Sequence, residues 1–414
     1  MTATATLLPL LKATGRSNPA PYYAELHRLG EAAALGPDEK HAAVVFGYDA
    51  VGRVLRDPAF RVLDAAFLDR SGTTWRRHSV LRVMQSSAFN APAEAHARMR
   101  RPFSQALNAR RVMRNEPLIE QSTQEHLDRL ARLGAGGAPV DFAAEFAVPL
   151  PADVIGGILG VGEADRRRFP DLVRTFDAIL ELGQPSYRDL VAADRAAVEL
   201  TDFFTGLLAD RRAQPQDDLV SALAQAVAES EDGGQPPAEA VDELIANLIV
   251  FFNAGFRTTA NLLGNGLILL LANPKAAEAL RADPALAPAY VEEILRVEPP
   301  VHFAIRYAAE DTEVAGVPVA KGRTVLVLTA AANRDPDRFP DPDRFDPARG
   351  DDQHYAFSAG PHYCLGAMLG RTEGRIIFPR LLKRFPDLEL AAEPEPLYNL
   401  MLRGPVHLPV RLGG

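Results

Sequence analysis

Apolar residues recur at helical spacing over 48–56, 93–110, 115–133, 165–183, 188–212, 217–229, 285–297 and 365–384, which predicts a chain built mainly of helices. Strand-like runs are short and few. Residues 41–47, Val314 to Val319 and Thr324 to Leu328 read as strands of a small β-sheet region. Asp217 and Asp218 before Leu219 act as a helix start signal, and Asn273-Pro274 after Leu271 as a stop. The longest helical pattern runs from Ala238 to Ala272 with no interior proline. Its span of roughly 50 Å suits a helix threading the centre of the molecule. Asn247, Asn253, Arg257, Asn261 and Asn265 interrupt its apolar run, so it does not read as a membrane span.

The chain has 414 residues, 47% of them hydrophobic, enough for a large core. Length alone allows two or three domains. No linker-like stretch divides the chain, Gly233 to Pro237 reads as a surface loop, and the motifs below run from about residue 96 to 366, so one domain over 1–414 is expected. A single cysteine permits no intrachain disulfide, and the opening residues lack a basic start and a long apolar run. Both features fit a cytoplasmic protein. The net charge of −9 argues against nucleic-acid binding.

The single cysteine carries the chemistry. Cys364 lies in Phe357-Ser358-Ala359-Gly360-Pro361-His362-Tyr363-Cys364-Leu365-Gly366, a loop leading into an apolar helix. A helix N-terminus favours a thiolate, and a thiolate is a strong axial donor to haem iron. Gly360 and Gly366 give backbone freedom where a flat macrocycle approaches, Phe357 shields the sulfur, and His362 reaches toward an anionic haem carboxylate. A buried inert cysteine is the ordinary alternative, but it does not account for these neighbours. The segment closely resembles the haem-binding loop of the cytochrome P450 monooxygenases of the soluble bacterial type.

Other landmarks fall in that family's order. Glu293 and Arg296 sit three apart on one helical face, and the resemblance implies a buried network with Arg344 behind the haem. His96 and Arg100 are one turn apart, and Arg306 follows in Phe303-Ala304-Ile305-Arg306. The resemblance makes these three residues contacts of the haem propionates, for which an arginine fork is well suited. It further implies haem b as cofactor, a mainly helical fold and insertion of one oxygen atom from dioxygen into an organic substrate, by hydroxylation or epoxidation, in bacterial secondary metabolism.

One departure stands in the central helix, which reads Ala254-Gly255-Phe256-Arg257-Thr258-Thr259. The family usually has an acid where Arg257 stands. Splitting dioxygen consumes two protons, which an acid relays and arginine does not. Thr258 remains to position a water, and Ala254 and Gly255 keep the helix thin. Three readings of Arg257 stay open: a reversed salt bridge with Asp177 or Glu181, an anchor for an acidic substrate, or deliberately poor proton delivery. The last leaves room for atypical oxidation, such as oxidative coupling or a peroxide-driven reaction, or for a haem protein that binds without turnover.

The resemblance also names pocket segments: 63–89, Phe251 and Phe252 on the central helix, Val301 to Ile305 with Phe303 and Ala304, and the turn Asn399 to Arg403 with Met401. Core packing explains such residues equally well. His302, Arg403 and Trp75-Arg76-Arg77-His78 add positive charge, consistent with an acidic or carrier-tethered substrate or with solvated loop charges. The chain has no flavin, nicotinamide or iron–sulfur motif, so a separate ferredoxin and its reductase are expected. A docking patch is expected from Arg98, Arg101, Arg110, Arg111, Arg114, Arg371 and Arg375. The molecule is otherwise expected to be a monomer without membrane contact.

Overall fold

A computed structural model describes residues 3–36, 39–182, 185–229, 238–350, 353–397 and 399–413. The central helix runs Ala238–Ala272, as the pattern predicts, and its apolar residues from Leu244 to Leu270 are largely buried. Two of the asparagines that break its apolar run, Asn247 and Asn265, are anchors. Asn247 Oδ1 accepts from Ala88 N at 2.9 Å, and Asn265 Nδ2 donates at 3.2 Å to the carbonyls of Glu298 and Arg403. Buried amides so paired avoid a desolvation penalty and fix distant loops to one helix.

Packed against it are Ser79–Gln85, Pro149–Leu159, Tyr187–Ala213, Ala287–Val297 and Ala367–Arg384. Together these helices enclose the larger core. Pro149–Leu159 escapes the pattern because Pro149, Pro151, Gly156 and Gly157 are poor helix formers in isolation. Two expected helices are broken. Asn108 interrupts 93–110 by capping Ala109–Arg114, its Oδ1 accepting from Arg111 N at 3.0 Å. The stretch 165–183 ends as Glu163–Arg174 followed by the short Asp177–Leu180.

The main sheet has six strands in the order Thr4–Ala5, Ala32–Leu35, His41–Val45, Thr324–Val327, Ala304–Ala308, Phe60–Arg61. Arg306 pairs with Val325 in its antiparallel ladder, which fixes where that arginine emerges. Val314 to Val319 is not one strand but a hairpin of Thr312–Val314 and Val317–Val319, turned by Ala315 (φ 47°) and Gly316 (φ 77°). Left-handed backbone at both turn positions matches the twist of a tight hairpin. The expected loop Gly233 to Pro237 lies outside the described residues. Among the described residues no single helix is long and apolar enough to cross a membrane.

Candidate active site

The cysteine loop is held by its own backbone. Cys364 N donates to the Phe357 carbonyl at 2.9 Å, Tyr363 N to that of Gly360 at 3.0 Å and Ser358 N to that of Tyr355 at 2.9 Å. Gly360 has φ 67°, and a Cβ there would lie 2.5 Å from the Leu55 carbonyl oxygen, so glycine is required on both counts. At Gly366 a Cβ would sit 4.0 Å from Cys364 Sγ, an ordinary contact. Cys364 is exposed on one side and walled by protein on the others. Those walls push the thiol up, against the pull of the Gly366 N–H and of Arg100 and Arg371. The expected helix-terminus effect is therefore outweighed by desolvation, and the helix itself begins only at Ala367.

Beside the loop, four basic side chains converge. The His96 and His362 rings stand 4.1 Å apart, and Arg100 Nη2 donates to the Tyr363 carbonyl at 2.5 Å. Arg306, 7% exposed, donates to its neighbour's carbonyl at 2.9 Å and has no ion pair among the described residues. Burial, then Arg306, His96 and Arg100, push His362 down to about 3, and burial takes Arg306 down to about 10. A buried guanidinium without a counter-charge is costly, so Arg306, with the half-buried Arg100 and two imidazole N–H donors beside it, calls for an anionic ligand. The two carboxylates of haem fit that donor set.

On the central helix, Phe251, Ala254 and Thr258 form one stripe at helical spacing that is half-exposed or exposed, although most residues around them are buried. Thr258 Oγ1 donates to the Ala254 carbonyl at 2.7 Å. Gly255 faces elsewhere: a Cβ there would come 3.0 Å from Ile155 Cγ1, so its smallness serves helix packing. Arg257 is buried against Asp177, with Nη2–Oδ2 at 2.5 Å and Nε–Oδ1 at 3.3 Å. Burial raises the Asp177 carboxyl and Arg257 lowers it, with burial dominant. Glu181 instead accepts from Leu400 N at 2.7 Å.

Because Arg257 is engaged in a buried pair, Arg257→Asp is expected to cost roughly 3–5 kcal/mol by setting two carboxylates together. The swap Arg257→Asp with Asp177→Arg is expected to recover most of that loss in thermal melts. A single variant with native melting but weakened substrate binding would instead make Arg257 a substrate anchor.

Sequence reasoning missed Glu373. It is 2% exposed on Ala367–Arg384 and has no ion pair among the described residues. Thr259 Oγ1 lies 3.2 Å from its Oε2 and 2.9 Å from the Gly255 carbonyl. Burial pushes this carboxyl up to about 8, so at neutral pH it is protonated. It can then donate to Thr259 Oγ1 while Thr259 donates to Gly255. The available cue was an acid set among Leu369, Ile376 and Ile377.

Several expected placements change. Arg296, fully buried, is bidentate to Glu293 at 2.8 Å for both bonds, and its remaining donors reach the carbonyls of Asn333, Pro342 and Arg344. Arg344 thus contributes a carbonyl, not a side chain; its guanidinium is exposed near Asp346. The third side chain is Arg349, 3.5 Å from Glu293 Oε1. Phe252 packs against Phe169 and Phe256, and Phe303 joins the core that contains Leu7, Phe46 and Leu400, so both are core residues. Phe251, Val301, Ala304 and Met401 keep partly open faces. The basic patch is mostly spent on ion pairs: Arg98 with Glu243, Arg111 and Arg114 with Asp217, Arg371 with Glu292 and Arg375 with Glu116. Arg101 and Arg110 have none among the described residues.

The family model "Cytochrome P450" matches residues 5–405. The chain is 39% identical over 322 residues to 6-deoxyerythronolide B hydroxylase of Saccharopolyspora erythraea, covering 77% of this chain and 76% of that one. It is 36% identical over 405 residues to the cytochrome P450 monooxygenase PikC of Streptomyces venezuelae, covering 95% and 91%. Among solved structures, P450BioI in complex with an acyl carrier protein bearing hexadec-9Z-enoic acid superposes with a TM-score of 0.87 at 30% identity, covering 97% of this chain and 99% of that one. With its cysteine loop, basic cluster and central helix in this arrangement, the chain belongs to the cytochrome P450 family and is a haem-binding monooxygenase.

Proposed function

We propose that this chain inserts one oxygen atom from dioxygen into a small or mid-sized organic molecule of bacterial secondary metabolism, by hydroxylation or epoxidation. The observation that carries the reading is the exposed Cys364, with the unneutralised Arg100 and Arg306 beside it. Bound haem supplies the iron on which dioxygen is activated. Cys364 is its thiolate ligand, shielded by Phe357. His96, Arg100, Arg306 and His362 hold the two carboxylates by charge-assisted bonds.

The Phe251–Ala254–Thr258 stripe lines the reaction space, and the Thr258 hydroxyl holds a water there. With Arg257 tied to Asp177, Glu373 is the protonatable group that borders this turn of the helix. Its raised carboxyl has a measurable signature. The folded chain keeps the Glu373 proton up to about 8, whereas an ordinary glutamate releases it at 4.5. Stability from this group is full below 4.5 and falls as pH rises through about 8, by up to roughly 4–5 kcal/mol. Glu373→Gln is expected to flatten that part of the pH–melting curve. An unchanged slope in the variant would place the titration elsewhere.

Electrons come from a separate ferredoxin and its reductase, with Arg101 and Arg110 the cations left for docking. Carrier-borne acyl chains belong among the candidate substrates, because one structural neighbour holds such a partner. Arg77 has no ion pair among the described residues and adds charge near the pocket segment 63–89. The decisive experiment titrates candidate metabolites, free and carrier-tethered, against the haem spectrum and then supplies ferredoxin, reductase and dioxygen. Oxygenated product supports the reading. Spectral binding without product favours the second reading, a haem protein of atypical or no turnover, to which Arg257 in the acid position gives its weight.

A further inference from the structure

Arg371 follows Cys364 on the same stretch of chain and is tied on three sides. Its Nε and Nη2 donate to Glu292 Oε1 and Oε2 at 2.7 and 2.8 Å, and Nη1 donates to the Tyr363 hydroxyl at 3.0 Å. The guanidinium carbon stands 4.4 Å from the centroid of the Phe357 ring. Glu292 is fixed in turn by His354, whose fully buried ring nitrogen lies 3.1 Å from Oε2. Burial alone would raise Glu292, but the bonds from His354 and Arg371 outweigh it and hold the carboxyl at about 2.

Phe357 and Tyr363 are the residues that adjoin Cys364 through the backbone. Phe357 gives its carbonyl to Cys364 N, and Tyr363 precedes the cysteine directly. One guanidinium therefore grips both. A docking arginine needs a free, mobile charge; this one is neutralised, and its side chain is 33% exposed. Stacking on a ring while making a two-bond fork to a carboxylate also requires a flat cation, which lysine does not provide.

We propose that Arg371 is a positioning residue for the axial ligand: the Glu292–Arg371 pair locks Phe357 and Tyr363 around Cys364 and thereby fixes the packing and donor strength of its sulfur. This rests on Cys364 being the haem ligand.

The test compares haem-loaded wild type with Arg371→Lys, Arg371→Gln, Glu292→Gln and Tyr363→Phe. The readouts are the reduction potential and the rate at which the reduced carbon monoxide complex loses its thiolate-type band. Both Arg371 variants and Glu292→Gln are expected to shift the potential in one direction and to lose the band about tenfold faster, the scale of one broken charge-assisted bond. Tyr363→Phe, which leaves the pair intact, is expected to give a smaller shift of the same sign. A lysine variant indistinguishable from wild type would overturn the proposal, because charge alone would then suffice. So would a glutamine variant that changes only the rate of reduction by ferredoxin at low salt. If wild type itself shows no thiolate band, the assignment of Cys364 fails instead, an outcome distinct from both.

Discussion

Cys364→Ser is expected to abolish the red-shifted absorption band that a thiolate-ligated haem shows when reduced under carbon monoxide, while wild type displays it in full. A serine hydroxyl does not ionise at accessible pH and is a far weaker electron donor, so the variant keeps the loop geometry and loses the electronic push. The backbone bonds from Cys364 N to Phe357 and from Tyr363 N to Gly360 do not involve the sulfur, so the fold is expected to persist. An imidazole-type spectrum in the wild type would move the ligand away from Cys364.

Arg296→Ala is the second large effect. The side chain is fully buried, and its removal leaves Glu293 with the 2.9 Å bond from Asp346 N and the 3.5 Å contact from Arg349, and strips donors from the carbonyls of Asn333, Pro342 and Arg344. Breaking such a pair typically costs roughly 3–5 kcal/mol, a large share of a domain's stability. Purified variant is expected to melt well below wild type and to carry little haem. Arg344→Ala supplies the control: its side chain is exposed and outside the network, so a change within about 0.5 kcal/mol is expected. Native melting and haem content in Arg296→Ala would show that the network does not support the site.

What could be read from the sequence was local. The cysteine loop is a run of ten residues whose spacing carries its own chemistry, and the central helix is a long uninterrupted pattern; both are present with the expected bounds. Contacts made through backbone atoms left no trace, which is why Arg344 was expected to offer a guanidinium and offers a carbonyl. Apolar identity does not distinguish pocket from core, so Phe252 and Phe303 were indistinguishable from Phe251 until their neighbours were known. Charge counts failed similarly. Seven arginines read as one docking face, yet five are paired with acids distant in the chain, such as Glu116 with Arg375 and Glu243 with Arg98.

The buried asparagines of the central helix set a limit on how this scaffold can diversify. Asn247 and Asn265 lie about five turns apart and so share one side of the helix, one tying down the chain at Ala88 and the other the turn at Arg403. Inserting a single residue between them rotates everything beyond by about 100° and breaks the phase of both moorings at once. Either tethered loop can therefore change without disturbing the other, whereas the length of the spine between the tethers is fixed by the phase of its two asparagines.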